Sequence, residues 1–253
     1  MNSLENVLSK IRKRLVESRD AETATALTHF FKENETLKTY GVKTGVVRKI
    51  SKEGFDLVKG YPKQTIFELC EMLWQSGYLE EATMACDWSD KLYKQYEPSD
   101  LALFEHWLGD YVANWAACDT LCNHTIGNFL MKFPDDIAKL KIWAKSSNRW
   151  LRRGAAVSLI IPARKGLFLN DILEIADLLL LDKEDIVQKG YGWMLKAASM
   201  SESFVKGSDA VKKQHLEAVF NFVIKNKTTM PRTALRYAIE KMPADLKAKA
   251  MEK

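Results

Sequence analysis

Apolar residues recur along the chain at the three- and four-residue spacing of an amphipathic helix. No stretch alternates apolar and polar positions as a half-buried strand would. The pattern predicts an all-α chain. Helices are expected to begin near Ser3, Asp20, Thr44, Tyr61, Leu79, Ser99, Asn114, Asp136, Asn148, Asn170, Asp185, Ala210 and Thr229, several of them at residues whose side chains satisfy orphan amides. Many short helices suggest stacked pairs. Pro62, Pro98 and Pro134 fall 36 residues apart, and Pro231 lies close to twice that spacing beyond Pro162, which is the phase of a helical-repeat solenoid. No Gly/Ser linker or low-complexity tract interrupts the pattern, so residues 1–253 are expected to form one domain. No apolar run approaches the roughly 18 residues of a membrane span. The stretch MNSLENVLSKIRKRLVES is charged where a secretory signal would be apolar, so a cytoplasmic protein without a membrane partner is expected.

Composition adds detail to this picture. The 253 residues are 47% hydrophobic, enough for a substantial core, and the 12 glycines and 6 prolines are few, which favours helices over β-structure. Cys70, Cys86, Cys118 and Cys122 are too sparse for a disulfide framework and read as reduced thiols. The net charge of +5 hints at a polyanion, and its placement says more. The charged residues of 79–100 are mostly acidic, whereas the run from Lys139 to Lys165 holds eight basic residues and no acidic one, so the polyanion is expected at the second region.

Four helix faces gather basic residues. Arg48 and Lys49 share one with Lys52. Arg149, Arg152 and Arg153 are expected opposite a packing side made by Leu151, Ala155, Ser158 and Leu159. Arg232 and Arg236 share another, on a helix that Thr229 is expected to cap. In LDKEDIVQKGYGWMLKAASM the core stripe is Val187, Gly190, Tyr191, Met194 and Ala198, and Trp193 stands off it between Lys189 and Lys196. An indole between ammonium groups suits a base or sugar flanked by phosphates, although it would equally fill a groove between helices. In DYVANWAACDTLCNHTIG, Asn114 caps a helix on which Trp115 and Asp119, four apart, lie one above the other. A carboxylate on an otherwise basic surface does not bind phosphate. It can stabilise positive charge developing on a sugar or hold a water for attack on it, or it can pair with an arginine, Arg153 being a candidate.

Other chemistries find little support. Cys118, Cys122 and His124 lack the paired ligand knuckles of a zinc site, and His29, His106 and His215 have no evident partners in the sequence. There is no P-loop, dinucleotide-binding glycine motif, metalloprotease motif or nucleophile elbow, so neither a metal nor a cofactor is expected.

The segments NWAACDTLC, NRWLRRGAAV and VQKGYGWMLK, in this order and at these separations, resemble those of the AlkD-type DNA alkylation repair glycosylases. YGVKTGVVRKI, LWQSGYLEEA and MPRTALRYAIEKMP extend the likeness from about residue 20 to residue 245. The resemblance implies a right-handed solenoid of HEAT-like antiparallel helix pairs with a concave face for duplex DNA. It also implies hydrolysis of the N-glycosidic bond of 7-methylguanine and 3-methyladenine. On this resemblance the catalytic aspartate is Asp119, the two lesion-flanking tryptophans are Trp115 and Trp193, and the active-site arginine is Arg153. Arg48, Lys49, Arg149, Arg152, Lys189, Lys196, Arg232 and Arg236 would bind DNA. Two departures stand out. HFFKENETLKTYG replaces a Tyr-Met-Lys stretch, putting Phe30 or Phe31 where a tyrosine is usual, and TGVVR has Gly45 in place of a proline. The expected partner is double-stranded DNA carrying alkylated bases, met by a monomer in the cytoplasm, on the nucleoid if the source is prokaryotic. The rival expectation is a non-catalytic HEAT-like module that binds DNA structure or a protein. A further alternative is a family member whose N-terminal helices close the cleft.

Overall fold

The computed structural model describes residues 3–31, 37–200 and 208–252, and all of its regular structure among them is helical. The chain divides into two compact units, Met1–Leu121 and Cys122–Lys253.

In the first unit, α1 (Ser3–Glu17) turns Leu8, Ile11 and Leu15 inward, one every three or four residues, against α3 (Thr44–Val58) and α4 (Lys63–Gln75). Between them α2 (Ala21–Phe30) buries no residue. It opens on Asp20, whose carboxylate accepts from the Thr23 amide at 2.7 Å. The hydrogen bonds from Thr23, with Lys43 nearby, hold this carboxyl at about 2. Helices α4 and α5 (Leu79–Lys91) form a hairpin through Gly77, whose positive φ of 71° a side chain would strain. Gly54 lets α3 approach both neighbours: a Cβ there would lie 2.9 Å from Ile11 and from Trp88. The loop before α3 is pinned by a buried acid. Glu80 accepts from the amides of Tyr40, Gly41 and Val42 at 3.0, 2.9 and 3.1 Å and from the Thr39 hydroxyl. Beside it the fully buried Glu81 takes Arg12 at 2.9 Å and the Tyr40 hydroxyl at 2.7 Å. These two residues of the acidic stretch are therefore buried. Glu81 is fully buried while Arg12 is partly exposed, so truncating Arg12 would leave a buried carboxylate without its cation. The unit continues with α6 (Asp100–His106), which runs into a π-turn at Trp107–Tyr111, and ends with α7 (Trp115–Thr120) on α5.

The second unit begins within a π-turn at Leu121–Ile126, which leads into α8 (Gly127–Lys132). There follow α9 (Ile137–Trp143), α10 (Arg149–Val157), α11 (Ile160–Arg164) and α12 (Leu169–Leu178). The unit closes with α13 (Asp185–Ser199), α14 (Ser208–Asn226), α15 (Arg232–Ile239) and α16 (Ala244–Met251). Helix α13 is central and packs on α10, α11, α12, α14 and α15. Its expected stripe, Val187, Gly190, Tyr191, Met194 and Ala198, is buried throughout. Gly192 widens the stripe. A Cβ there would lie 2.7 Å from the Cβ of Tyr237 and 2.8 Å from the Ala234 carbonyl, so only glycine permits this approach of α13 and α15.

The caps Asp20, Asn114 and Asn148 stand where the sequence placed them. Thr229 does not cap a helix: its hydroxyl and amide both donate to the Asn226 carbonyl, closing α14, and α15 begins after Pro231. Three helices, α8, α11 and α16, were not legible in the pattern. Each is eight residues or shorter and none starts on a side-chain cap.

Candidate functional site

In the first unit the site residues stand on α7. Asn114 is extended (φ −149°, ψ 161°), and its side-chain oxygen accepts from the Ala117 amide at 3.0 Å, which fixes where the helix begins. Ala117 and Cys118 then fill the packing side. Trp115 and Asp119 come one turn apart on the remaining face, both half-buried, as the spacing required. The indole has company that the sequence only hinted at. The Phe31 ring is stacked on Trp115 at 5.7 Å and 29°, and the Phe30 ring meets it at 5.2 Å and 59°. Phe31 is buried by this contact while Phe30 is 64% exposed. Of the substituted stretch that follows them, residues 32–36 lie outside the described part. Arg48 and Lys49 are exposed on α3, as expected.

In the second unit the sequence reading of α10 needs correction. Trp150 is buried where Leu151 was expected to be, and Arg153 is 5% exposed instead of lying on an open basic face. Its guanidinium donates to the Ile186 carbonyl and its stem lies 3.4 Å from where a Cβ of Gly190 would be. The cause is the position of α13, whose glycine leaves room for a long side chain. Arg152 is also committed. It pairs with Asp182 at 2.6 Å and donates to the carbonyls of Ser146 and Ser147, holding the two loops together. Arg149 is half-buried, over the Trp150 ring at 4.9 Å and 3.8 Å from Glu184. Lys141, in the same basic run, takes Asp171 and Glu174. Acids from α12 and from the loop after it thus neutralise much of the run that the sequence marked for a polyanion.

Trp193 is half-buried between Lys189 and Lys196, as read from the sequence. Both lysines hold acids, Asp185 at 2.8 Å and Glu240 at 2.7 Å. Arg232 and Arg236 are exposed one turn apart on α15. All four cysteines are buried free thiols, and burial pushes the Cys70 thiol well above its ordinary range.

Sequence reasoning missed one polar cluster. His106, which the sequence left without a partner, contacts Asp110 at 2.6 Å and Glu71 at 3.3 Å. Glu71 also accepts from Trp107 and Tyr111. Burial favours the neutral forms, but these hydrogen bonds outweigh it, so His106 is raised and Glu71 lowered from their ordinary values. His106 and Asp110 are four apart, and that spacing was the available signal.

No curated protein matches the sequence. A solved structure described as a predicted DNA alkylation repair enzyme from Enterococcus faecalis superimposes with a TM-score of 0.71. It is 15% identical and the match covers 90% of this chain and 98% of that one, a likeness of fold. The sequence profile of the family described as DNA alkylation repair enzyme matches residues 11–242. With nearly its whole length inside that profile, the chain belongs to the DNA alkylation repair enzyme family, and its role lies in the repair of alkylated DNA.

Proposed function

We propose that this protein is a DNA glycosylase that hydrolyses the N-glycosidic bond of cationic alkylated purines, 7-methylguanine and 3-methyladenine, in duplex DNA. The observation that carries the reading is the half-buried Asp119 one turn beyond Trp115 on a helix whose start Asn114 fixes. A purine alkylated at N7 or N3 already carries positive charge and leaves without a general acid. As the bond lengthens, positive charge moves onto the deoxyribose. Ionised Asp119 stabilises it and orients a water toward the anomeric carbon. Trp115 holds the sugar by CH–π and cation–π contacts, the latter worth roughly 0.5–2 kcal/mol, and Trp193 on the second unit is suited to the same kind of contact with DNA. Arg153, the active-site arginine of this reading, is tied to the Ile186 carbonyl and sets the position of the helix that carries Trp193. Exposed cations such as Arg48, Lys49, Arg232 and Arg236 meet phosphates without reading sequence. The protein acts as a monomer, with no metal and no cofactor.

The test is release of 7-methylguanine from methylated duplex DNA. Asp119→Asn keeps the shape and removes the charge, and its rate is expected to fall at least about 100-fold. An equal rate removes Asp119 from the mechanism.

A second reading rests on Phe31. Its ring covers a face of Trp115, which favours a member that binds DNA without excising a base. Base release by the wild type, or its absence, separates the two.

A further inference from the structure

In the second unit, Trp193 also walls a cleft of about 380 Å³. The other walls are Arg164 at the end of α11, Lys196 and Ala197 on the same helix as the indole, Met200 just past its end, and Lys241 beyond α15. Arg164 and Lys241 are exposed and Met200 is 48% exposed, so the cleft offers three cations, one aromatic face and one thioether to the same small volume. An acid stands at its edge. Glu240 reaches Lys196 at 2.7 Å and Lys241 at 3.9 Å, and these lysines, Lys196 foremost, hold its carboxyl below the usual range. One carboxylate between two lysines is a small copy of a phosphate between two lysines. It offsets only one of the three cations, so the cleft retains a positive excess. A structural ion pair would need neither the third cation nor the half-buried indole at its wall, whereas a nucleotide unit uses all of them: an anion for the cations and a sugar for the apolar faces.

We propose that this cleft is a nucleotide subsite, with one phosphodiester of a DNA strand on Arg164 and Lys241 and the adjoining sugar against Trp193 and Met200. Glu240 is its built-in competitor, holding Lys196 and Lys241 until a phosphate displaces it. The assignment rests on the reading of Trp193 as a residue that meets DNA. It gives the phosphate-holding role to residues other than Arg153, which is buried and engaged.

The experiment is fluorescence anisotropy of a short labelled duplex without a lesion, titrated at several salt concentrations, with base release from a methylated duplex measured in parallel. Arg164→Ala and Lys241→Ala are each expected to weaken binding roughly five- to tenfold and to lower the slope of log affinity against log salt by about 0.9. Glu240→Gln, which releases the lysines, is expected to tighten binding roughly two- to fivefold. Lys213→Ala, an exposed lysine on α14 outside the cleft, serves as the control. Competition by inorganic phosphate alone should be weak, since it supplies no sugar to the indole.

Cleft variants that bind as the control does, or a Glu240→Gln that binds no tighter, overturn the proposal while leaving base release to stand. The expected ranking without base release leaves the subsite in place and removes the glycosylase reading. A wild type that binds no DNA overturns both.

Discussion

Arg153 shows how a residue's environment rewrites its role. Four apart from Arg149 and next to Arg152, it belongs by sequence to a basic face, and its truncation would be expected to harm activity alone. Buried at 5% exposure with its guanidinium on the Ile186 carbonyl, it is part of the packing between α10 and α13. Arg153→Ala removes the donor from a buried carbonyl and leaves space where the stem lay beside Gly190. The expected loss is about 2–3 kcal/mol in urea denaturation. A midpoint unchanged from wild type would show that the side chain carries no packing role and would return it to the surface set. The same distinction applies to Glu80 and Glu81. Their partners lie about 40 to 70 residues away in sequence, at Tyr40, Val42 and Arg12, so nothing local in YLEEA marks them as buried. Asp119 and Trp115 were legible because both their spacing and their cap, Asn114, are local.

At the scale of elements, the π-turn that ends α6 is where a polar cluster replaces a regular helix end. Its Trp107 and Tyr111 both donate to Glu71 of α4, and His106 sits between Glu71 and Asp110. Folded His106 titrates above its ordinary value, so its stabilisation is complete below about pH 6.5 and is lost as pH rises through the raised value. Folded Glu71 titrates below its ordinary value, so its share is complete above about pH 4.5 and is lost as pH falls through the lowered value. The cluster therefore supports the first unit best in the window between them. His106 is 42% exposed, and solvent screening keeps its share below about 1 kcal/mol. Melting temperatures measured across that range should decline on the alkaline side for the wild type, and His106→Gln should flatten the decline. An unaltered profile would show that the histidine is not coupled to folding. Helix starts with an Asp or Asn cap were readable in advance because capping is chemistry within three residues. Helices α8, α11 and α16 were not, since none starts on a side-chain cap and each spans only one to two turns, too few to establish a periodicity.

Over the whole molecule, net charge and usable charge differ. The +5 excess and the basic run of 139–165 point to a polyanion, yet structure divides the basic residues into two kinds. Arg152 spends itself on Asp182 and two loop carbonyls, Lys141 on Asp171 and Glu174, and Lys189 on Asp185. Arg48, Lys49, Arg232 and Arg236 stand exposed. Sequence makes only the Lys189–Asp185 part of this division, four apart on one helix, because Asp171, Glu174 and Asp182 come from later segments whose packing brings them near. Counterion release counts only cations that reach a phosphate, so the two kinds separate in one measurement. Arg236→Ala should lower the salt slope of duplex binding by about 0.9 with the melting temperature unchanged. Arg152→Ala should leave the slope as it is and lower the melting temperature, since Asp182 is 8% exposed and loses its ion pair. If both variants lower the slope equally, the Asp182 pair opens to admit DNA and the buried half of the basic run belongs to the binding surface after all.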